Sequence, residues 1–259
     1  MMLIVAPDSE IDDTRRFTHN VDGWLSVGEG ALLYNLARNV SSAGAIVEIG
    51  SWKGKSTIWL GRGSQNGNRA KVYAVDPHTG SPEINKVLGE VWTLDEFKRN
   101  IAEARLQSIV DPLVMTSEEA ARDFRKAAEL VFIDGAHEYD SVRLDFELWF
   151  PKVVEGGIMA FHDTNGRPGS TTAVTDLVYK SRYFRNVRYI DSITYAEKVR
   201  KNSVLDRIRN RAVLLLKNLP LPNFGIAGKL NFIPVPIRTI GKWAVKKLES
   251  VIFESQSSW

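Results

Sequence analysis

Two short stretches carry the side chains best suited to chemistry, Ile133-Asp134-Gly135-Ala136-His137-Glu138-Tyr139 and Phe161-His162-Asp163-Thr164-Asn165, and two of the four histidines of the chain lie in them. Each closes an apolar run: Glu129 to Asp134 and Gly157 to Asp163 read as strands. Neighbouring strands lie about 5 Å apart, so if these two are adjacent, Asp134 and Asp163 at their ends can bind one cation together. A hard divalent ion such as Mg²⁺ takes carboxylate oxygens and keeps positions for substrate oxygens. His137, three residues beyond Asp134, has an unperturbed pKa near neutrality and is the natural general base. Each residue also has an ordinary structural use, because strand-end aspartates cap helices and buried histidines are usually just hydrogen-bonded.

The elements that must position this chemistry start at Val47-Glu48-Ile49-Gly50-Ser51-Trp52-Lys53-Gly54-Lys55-Ser56-Thr57. Ala45-Ile46-Val47 feeds an acid, a turn with two glycines follows, and Ser56-Thr57-Ile58-Trp59-Leu60 opens a helix. Glycines let the backbone approach a ligand, and the free N–H groups at a helix start favour an anionic group. A nucleotide-like cofactor is therefore expected. A P-loop would need glycine at position 49, where Ile49 stands, and a dinucleotide fingerprint would need two more glycines than Gly50-Ser51-Trp52 supplies. Lys71-Val72-Tyr73-Ala74-Val75-Asp76 reads as a second strand ending in an acid, which places Asp76 to accept hydrogen bonds from both ribose hydroxyls. A turn aspartate before Pro77 is the alternative.

What remains at the turn, E-x-G-x-x-x-G-x-S from Glu48 to Ser56, resembles motif I of class I S-adenosylmethionine-dependent methyltransferases. I-D-G-A-H-E-Y, followed by D-x-x-x-W-x-P, G-G and H-D, is similar to the metal-dependent sugar O-methyltransferases of the macrocin and mycinamicin type and to mycobacterial sugar methyltransferases. The resemblance runs over about residues 20 to 200. It implies S-adenosyl-L-methionine held by Glu48, Gly50, Ser51, Gly54, Ser56, Asp76, Ser117 and Asp134, with Ser117 beside the adenine or capping the helix it opens. It also implies Mg²⁺ or another divalent cation on Asp134 and Asp163, and His137 as base. A sulfonium offers an electrophilic methyl, so such an enzyme needs only a deprotonated nucleophile held in line, and vicinal hydroxyls on a metal lose proton affinity. This chain departs from the pattern at His162, where the macrolide-sugar enzymes tend to carry an acid. As a ligand, His162 favours Mn²⁺ or Zn²⁺; otherwise it only orients substrate. Asn165 is a further candidate ligand, although Thr164 separates it from the Asp163 it would partner.

The remaining elements complete an α/β pattern. Residues 1 to 20 are expected as a loosely held arm. Leu32, Leu33, Leu36 and Val40 predict a helix before the first strand, and Trp24 stands where it could cover a cofactor or simply pack. His78 to Trp92 is a long polar connection expected as a substrate-side lid. A helix over Leu94 to Leu106, a third strand at Pro112 to Met115, and helices at Tyr139 to Phe150 and Thr171 to Phe184 follow. Val187 to Ile190 and Ile193 to Ala196 flank Asp191-Ser192 as a hairpin. A Rossmann-like methyltransferase fold is expected, with a mostly parallel seven-stranded sheet and helices on both faces. Gly50, Asp76, Asp134 and Asp163 would then gather at the carboxyl ends of the strands, where such sheets bind ligands.

With 259 residues, 44% hydrophobic and 25% charged, the chain suits one such domain over residues 21–199 with an extension over 200–259. It has no cysteine, which excludes thiolate metal sites and cysteine nucleophiles. No signal peptide or spanning segment is read, so a cytoplasmic protein is expected. The net charge of +3 hides an asymmetry, because residues 200–259 hold 11 Lys and Arg against 3 Asp and Glu. Val204, Leu205, Ile208, Ala212, Leu215, Leu216 and Leu219 form one apolar helical stripe, and Ile237, Ile240, Ala244, Leu248 and Val251 a second, with lysines nearby. Basic amphipathic helices suit an anionic membrane surface or a second copy of the chain. The expected partners are thus a small-molecule or lipid-linked sugar, the inner membrane face as a peripheral site, and a homodimer, with no nucleic acid. The rival to an enzyme is a non-catalytic cofactor-binding or scaffold protein docked to a membrane enzyme complex.

Overall fold

Residues 5–218 are described in the computed structural model. They fall into two units, one over Leu3–Arg211 and one that includes the chain from Ala212 onward. The sheet and every candidate site residue belong to the first. Leu219 and the second apolar stripe, Ile237 to Val251, lie outside the described residues.

Five consecutive strands of the first unit run parallel: β1 (Ala45–Ile49), β2 (Lys71–Val75), β3 (Val110–Leu113), β4 (Ala128–Ile133) and β5 (Val153–Phe161). The hairpin β6 (Phe184–Ile190) and β7 (Ile193–Lys198) closes the sheet in the order β3-β2-β1-β4-β5-β7-β6, with β7 antiparallel to β5. All five residues of β1 are buried, as a central strand covered on both faces requires. The adjacency of β4 and β5, on which a shared cation depends, is present, with Ile133 opposite Phe161.

Helices follow from local signals. α2 (Val27–Arg38) starts on a capping box between Ser26 and Glu29, and α6 (Ser117–Asp123) on one between Thr116 and Glu119. α3 (Lys55–Gln65) opens directly after the glycine turn. α5 (Leu94–Glu103) buries Leu94, Phe97 and Ile101 at helical spacing, and α7 (Tyr139–Trp149) stops just before Pro151.

Several boundaries differ from the sequence reading. The segment expected as a loose arm forms α1 (Asp8–Thr18), whose Thr14 and Thr18 are buried and whose Glu10 pairs with Arg38 and Tyr34 of α2. Its Asp and Glu at the start and Arg at the end match the helix dipole, a signal that polarity alone hid. β3 begins two residues earlier than read. The helix expected over Thr171 to Phe184 is α8 (Pro168–Val174), which widens into a π-type turn over Thr175–Tyr179, and Phe184 already belongs to β6. The expected lid contains a short helix, α4 (Pro82–Leu88), capped by Ser81 and with no buried residue.

The last described helix, α9 (Val204–Asn218), begins within the first unit. Asn210 accepts from Val187 N–H and donates to the Phe184 carbonyl, and Asn202 donates to the same carbonyl. Those polar residues hold α9 to β6, while Val204, Leu205 and Ile208 of the apolar stripe are exposed. None of the described helices is long and apolar enough to cross a membrane.

Candidate active site

A cavity of about 550 Å³ opens at the carboxyl ends of β1, β2, β4 and β5. Its floor is the turn after β1. Gly50 has φ +84°, and a Cβ there would lie 2.2 Å from the Asp134 carbonyl oxygen, so the strand ends can meet only over glycine. Asp76, just beyond β2, holds the turn from the side: its carboxylate accepts from Ser51 N–H at 2.9 Å, Trp52 N–H at 2.8 Å and His78 N–H at 2.7 Å. Asp76 thus fills the turn role that competed with ribose binding, yet it also lines the cavity, where Oδ1, which takes one of these bonds against two on Oδ2, keeps a lone pair. Ser51 Oγ and Trp52 Nε1 belong to wall residues and are buried without a hydrogen-bond partner. Buried polar groups are ordinarily satisfied, so these atoms suit a polar ligand in the cavity.

Ser56, Ser117 and Asp134 also line the cavity. Ser117 does not cap α6; Thr116 does. Ser117 Oγ instead accepts from Trp149 Nε1 at 2.9 Å. Glu48 and Gly54, expected as cofactor ligands, are placed off the cavity wall. Glu48 is fully buried beneath the turn, where it accepts from Thr57 and where burial pushes its carboxyl up to about 8. Gly54, at φ +91°, is the residue before α3 and sits against Phe97.

The second wall is the acidic and histidine cluster. One donor atom each from Asp134, His162 and Asp163 lie within 4.8 Å of one another. Asp134 follows β4 and donates its N–H to the Ile49 carbonyl, while His162 follows β5 and donates to the Ile133 carbonyl, so the sheet ladder itself fixes both. Asp163 takes φ +54°, a left-handed conformation uncommon for a non-glycine residue. Thr164 behind it is anchored to the Ser192 carbonyl. His162 Nδ1 lies 2.9 Å from Asp134 and 3.5 Å from Asp163, and Nε2 lies 3.5 Å from Glu29. These contacts are close but lack hydrogen-bond alignment: both ring nitrogens are buried without a hydrogen-bond partner. A ring nitrogen converging with two carboxylates in that way fits a divalent cation, and the nitrogen in the set suits Mn²⁺ or, more strongly, the borderline Zn²⁺ better than Mg²⁺.

Electrostatics at the cluster is shared. Burial disfavours the His162 cation, but Asp134, Asp163 and Glu29 together push it up to about 12. Burial also raises Glu29, yet the charged contact with His162 and hydrogen bonds from Ser192 and Ser26 hold it down at about 2. Burial raises Asp134, opposed by His162. Contact with His137, then His162, holds Asp163 below the carboxylate range.

His137 adjoins this cluster through Asp163. Its Nε2 lies 2.8 Å from Asp163 Oδ2 and its Nδ1 3.0 Å from Glu83 Oε2 on α4. Asp163 first, and then Glu83 against the effect of burial, raise the imidazole to about 9. Arg167 closes the set by pairing with Glu83. The lid therefore reaches the chemistry, and the sequence reading missed Glu29, Glu83, Asp145 and Arg167. Asp145 was legible as the acid of D-x-x-x-W; it lines the cavity with burial pushing it up to about 6. Trp24 also lines the cavity, 65% exposed and 5.9 Å from the Trp52 ring. Asn165 is exposed and lies off the cavity wall.

Residues 47–164, which supply most of these groups, match the family model described as a methyltransferase domain. A curated relative from Sinorhizobium fredii, bearing the name "Uncharacterized protein y4gI", is 29% identical over 126 residues, which is 47% of this chain but only 13% of that protein. The O-methyltransferase TomG of Streptomyces achromogenes, solved with S-adenosylmethionine, superposes with a TM-score of 0.52 at 19% identity over 76% of this chain and 92% of its own. An O-methyltransferase from Bacillus cereus, solved with S-adenosylhomocysteine, gives 0.52 at 17% over 75% and 93%. At such identities the likeness is one of fold, and the fold is the Rossmann-like one of methyltransferases.

Proposed function

We propose that this chain, a methyltransferase domain over residues 47–164, is an S-adenosylmethionine-dependent O-methyltransferase assisted by a divalent cation, acting on a hydroxyl of a sugar or glycoconjugate. The observation that carries this reading is the meeting of the Asp134, His162 and Asp163 donors with His137 on one wall of a cavity floored by the Gly50 turn.

S-Adenosylmethionine, when bound, supplies a methyl on a positively charged sulfur, and a cation supplies a Lewis acid for the acceptor oxygen. The chain does the rest. Gly50, Ser51, Ser56 and Asp76 wall the side of the cavity suited to the amino-acid and ribose parts, and Ser117 with Asp145 walls the side suited to the base. Asp134, His162 and Asp163 would hold the cation. His137 takes the acceptor proton at Nε2, the nitrogen that faces Asp163. With Asp163 and Glu83 on its two nitrogens, the imidazole has a carboxylate on each side to steady the charge it would gain with that proton. Trp24, Val87 and Leu88 present exposed apolar surface on the cavity wall, which suits the C–H face of a sugar ring or an apolar aglycone.

One observation favours a metal-independent variant of the same reaction: the His162 cation already brings positive charge between Asp134 and Asp163. Calorimetry with S-adenosylmethionine, NAD and ATP, followed by methyl transfer to a glycoside panel with chelator and with Mn²⁺ or Mg²⁺ restored, separates the readings. S-Adenosylmethionine alone is expected to bind, and chelation to abolish transfer until metal returns. Binding of NAD or ATP alone refutes the reading, and transfer unaffected by chelator selects the metal-independent variant.

A further inference from the structure

Glu83 sits on α4, far in sequence from the strands that carry the cluster, yet its carboxylate reaches the centre. We infer that Glu83 is a positioning residue for His137: it accepts a hydrogen bond from Nδ1–H, leaves Nε2 as the nitrogen that faces the acceptor, and does so only while α4 lies over the cavity. The inference rests on the assignment of His137 as base.

Three observations support it. The imidazole is gripped along one axis, Nδ1 to Glu83 Oε2 at 3.0 Å and Nε2 to Asp163 Oδ2 at 2.8 Å. A histidine used as base needs one nitrogen protonated and held so that the other can accept, and a carboxylate behind the ring does this in hydrolytic triads. Here the strand-end carboxylate Asp163 faces the reacting side, so the orienting role falls to Glu83.

The second observation is the attachment of α4. The helix has seven residues and none is buried. Beyond the Ser81 cap and a bond from Asn85 to the Thr79 carbonyl, both within the connection over 78–92, the side-chain polar contacts of α4 among the described residues are made by Glu83, one to His137 and one to Arg167. An element with little buried surface opens at low cost, so these two contacts hold it closed. Thirdly, the same helix carries Val87 and Leu88, 81% and 59% exposed, as part of the cavity wall. An acceptor lying against that apolar surface would favour the closed helix and with it the oriented base. Glu83 then ties occupation of the cavity to readiness of His137.

Arg167 has a separable part. It touches the other oxygen of Glu83 and does not touch His137, so it steadies the lid and not the ring directly.

Two measurements test this, one of which needs no acceptor. In the chain bound to S-adenosylhomocysteine, the proton on His137 Nδ1 should appear as a hydrogen-bonded downfield imidazole resonance, assigned by its absence in His137→Asn. It should be lost in Glu83→Ala. In steady state, Glu83→Ala should lower kcat by about 10-fold or more, as expected when an oriented base loses its partner. S-Adenosylmethionine affinity should stay within about 2-fold, and Glu83→Asp should recover less than Glu83→Gln, because reach matters more than charge for holding Nδ1. Arg167→Ala should raise the acceptor KM and leave kcat within about 3-fold. Persistence of the Nδ1 resonance in Glu83→Ala, or an unchanged kcat in that variant, overturns the inference. If His137→Asn keeps full turnover while the resonance behaves as stated, the base assignment fails and the contact stands as a lid latch only.

Discussion

Replacement of Glu48 by glutamine separates a cofactor ligand from a core carboxyl. Glu48 is fully buried, accepts one hydrogen bond from Thr57 and leaves Oε1 without a partner. Burial is the largest influence on it, outweighing the hydroxyls of Ser56 and Thr57, and raises it from 4.5 to about 8. The folded chain then binds a proton that the unfolded chain releases above its ordinary value, so stability falls as pH rises from about 4.5 to about 8. At 1.36 kcal/mol per pKa unit, linkage makes the wild-type loss about 3 kcal/mol between pH 5 and pH 8 from this group alone. Glutamine has nearly the same shape and nothing to titrate. Urea unfolding of both chains at pH 5 and pH 8 gives the test. The variant should gain about 3 kcal/mol on wild type over that interval, the difference cancelling every other titrating group. Its affinity for S-adenosylmethionine should change by less than about 3-fold, because Glu48 is off the cavity wall. Parallel loss in both chains would refute the reasoning, and a collapse of cofactor binding without loss of stability would return Glu48 to the ligand set.

Two further substitutions probe the scaffold. Gly50 and Gly156 share φ +84°, but a Cβ at Gly50 would meet the Asp134 carbonyl at 2.2 Å and one at Gly156 would meet nothing within 4 Å. Gly156→Ala should therefore cost about 1–2 kcal/mol of backbone strain, read as a modest fall in melting temperature, and Gly50→Ala should cost clearly more and lose cofactor binding. Glu29 receives N–H groups from Ser26 and Ser192 and the Ser192 hydroxyl, tying α2 to the β6–β7 turn behind His162. Glu29→Ala should cost about 2–4 kcal/mol in urea unfolding at pH 7, for the unsatisfied buried donors it leaves. With its carboxyl held at about 2 against an ordinary 4.5, this contribution is present above pH 4.5 and fades as pH falls toward 2, so the two chains should converge in acid.

What the sequence made legible, and what it hid, divides along one physical line. Strand-end residues could be placed because the chain itself fixes them. An apolar run ending in Asp134 or Asp163 sets the acid at the sheet rim, and parallel order then gathers the rims of β1, β2, β4 and β5 in one place. Apolar periodicity also found the β6–β7 hairpin, because Asp191-Ser192 interrupts it. The place of Glu48 was hidden for a related reason: motif position shows that a residue precedes the turn, but alternation along β1 decides whether its side chain enters the cavity or the core, and β1 is buried on both faces. Glu29 and Glu83 were invisible for a different one. Each sits on a helix where a glutamate serves as an ordinary capping or solvent-facing residue, Glu29 completing the Ser26 box and Glu83 in the first turn of α4. Only the packing of α2 beside the β6–β7 turn, and of α4 over the cavity, brings them to His162 and His137. The candidate ligands are thus written at strand ends, where the rim of the sheet decides where a residue ends up. The groups behind the ligands are written in helices and lids, whose side chains reach the centre only through tertiary contacts that no local spacing encodes. A chain with the same strand-end motif but alanine at positions 29 and 83 would read identically as a methyltransferase, and by the geometry here it would hold neither histidine in place.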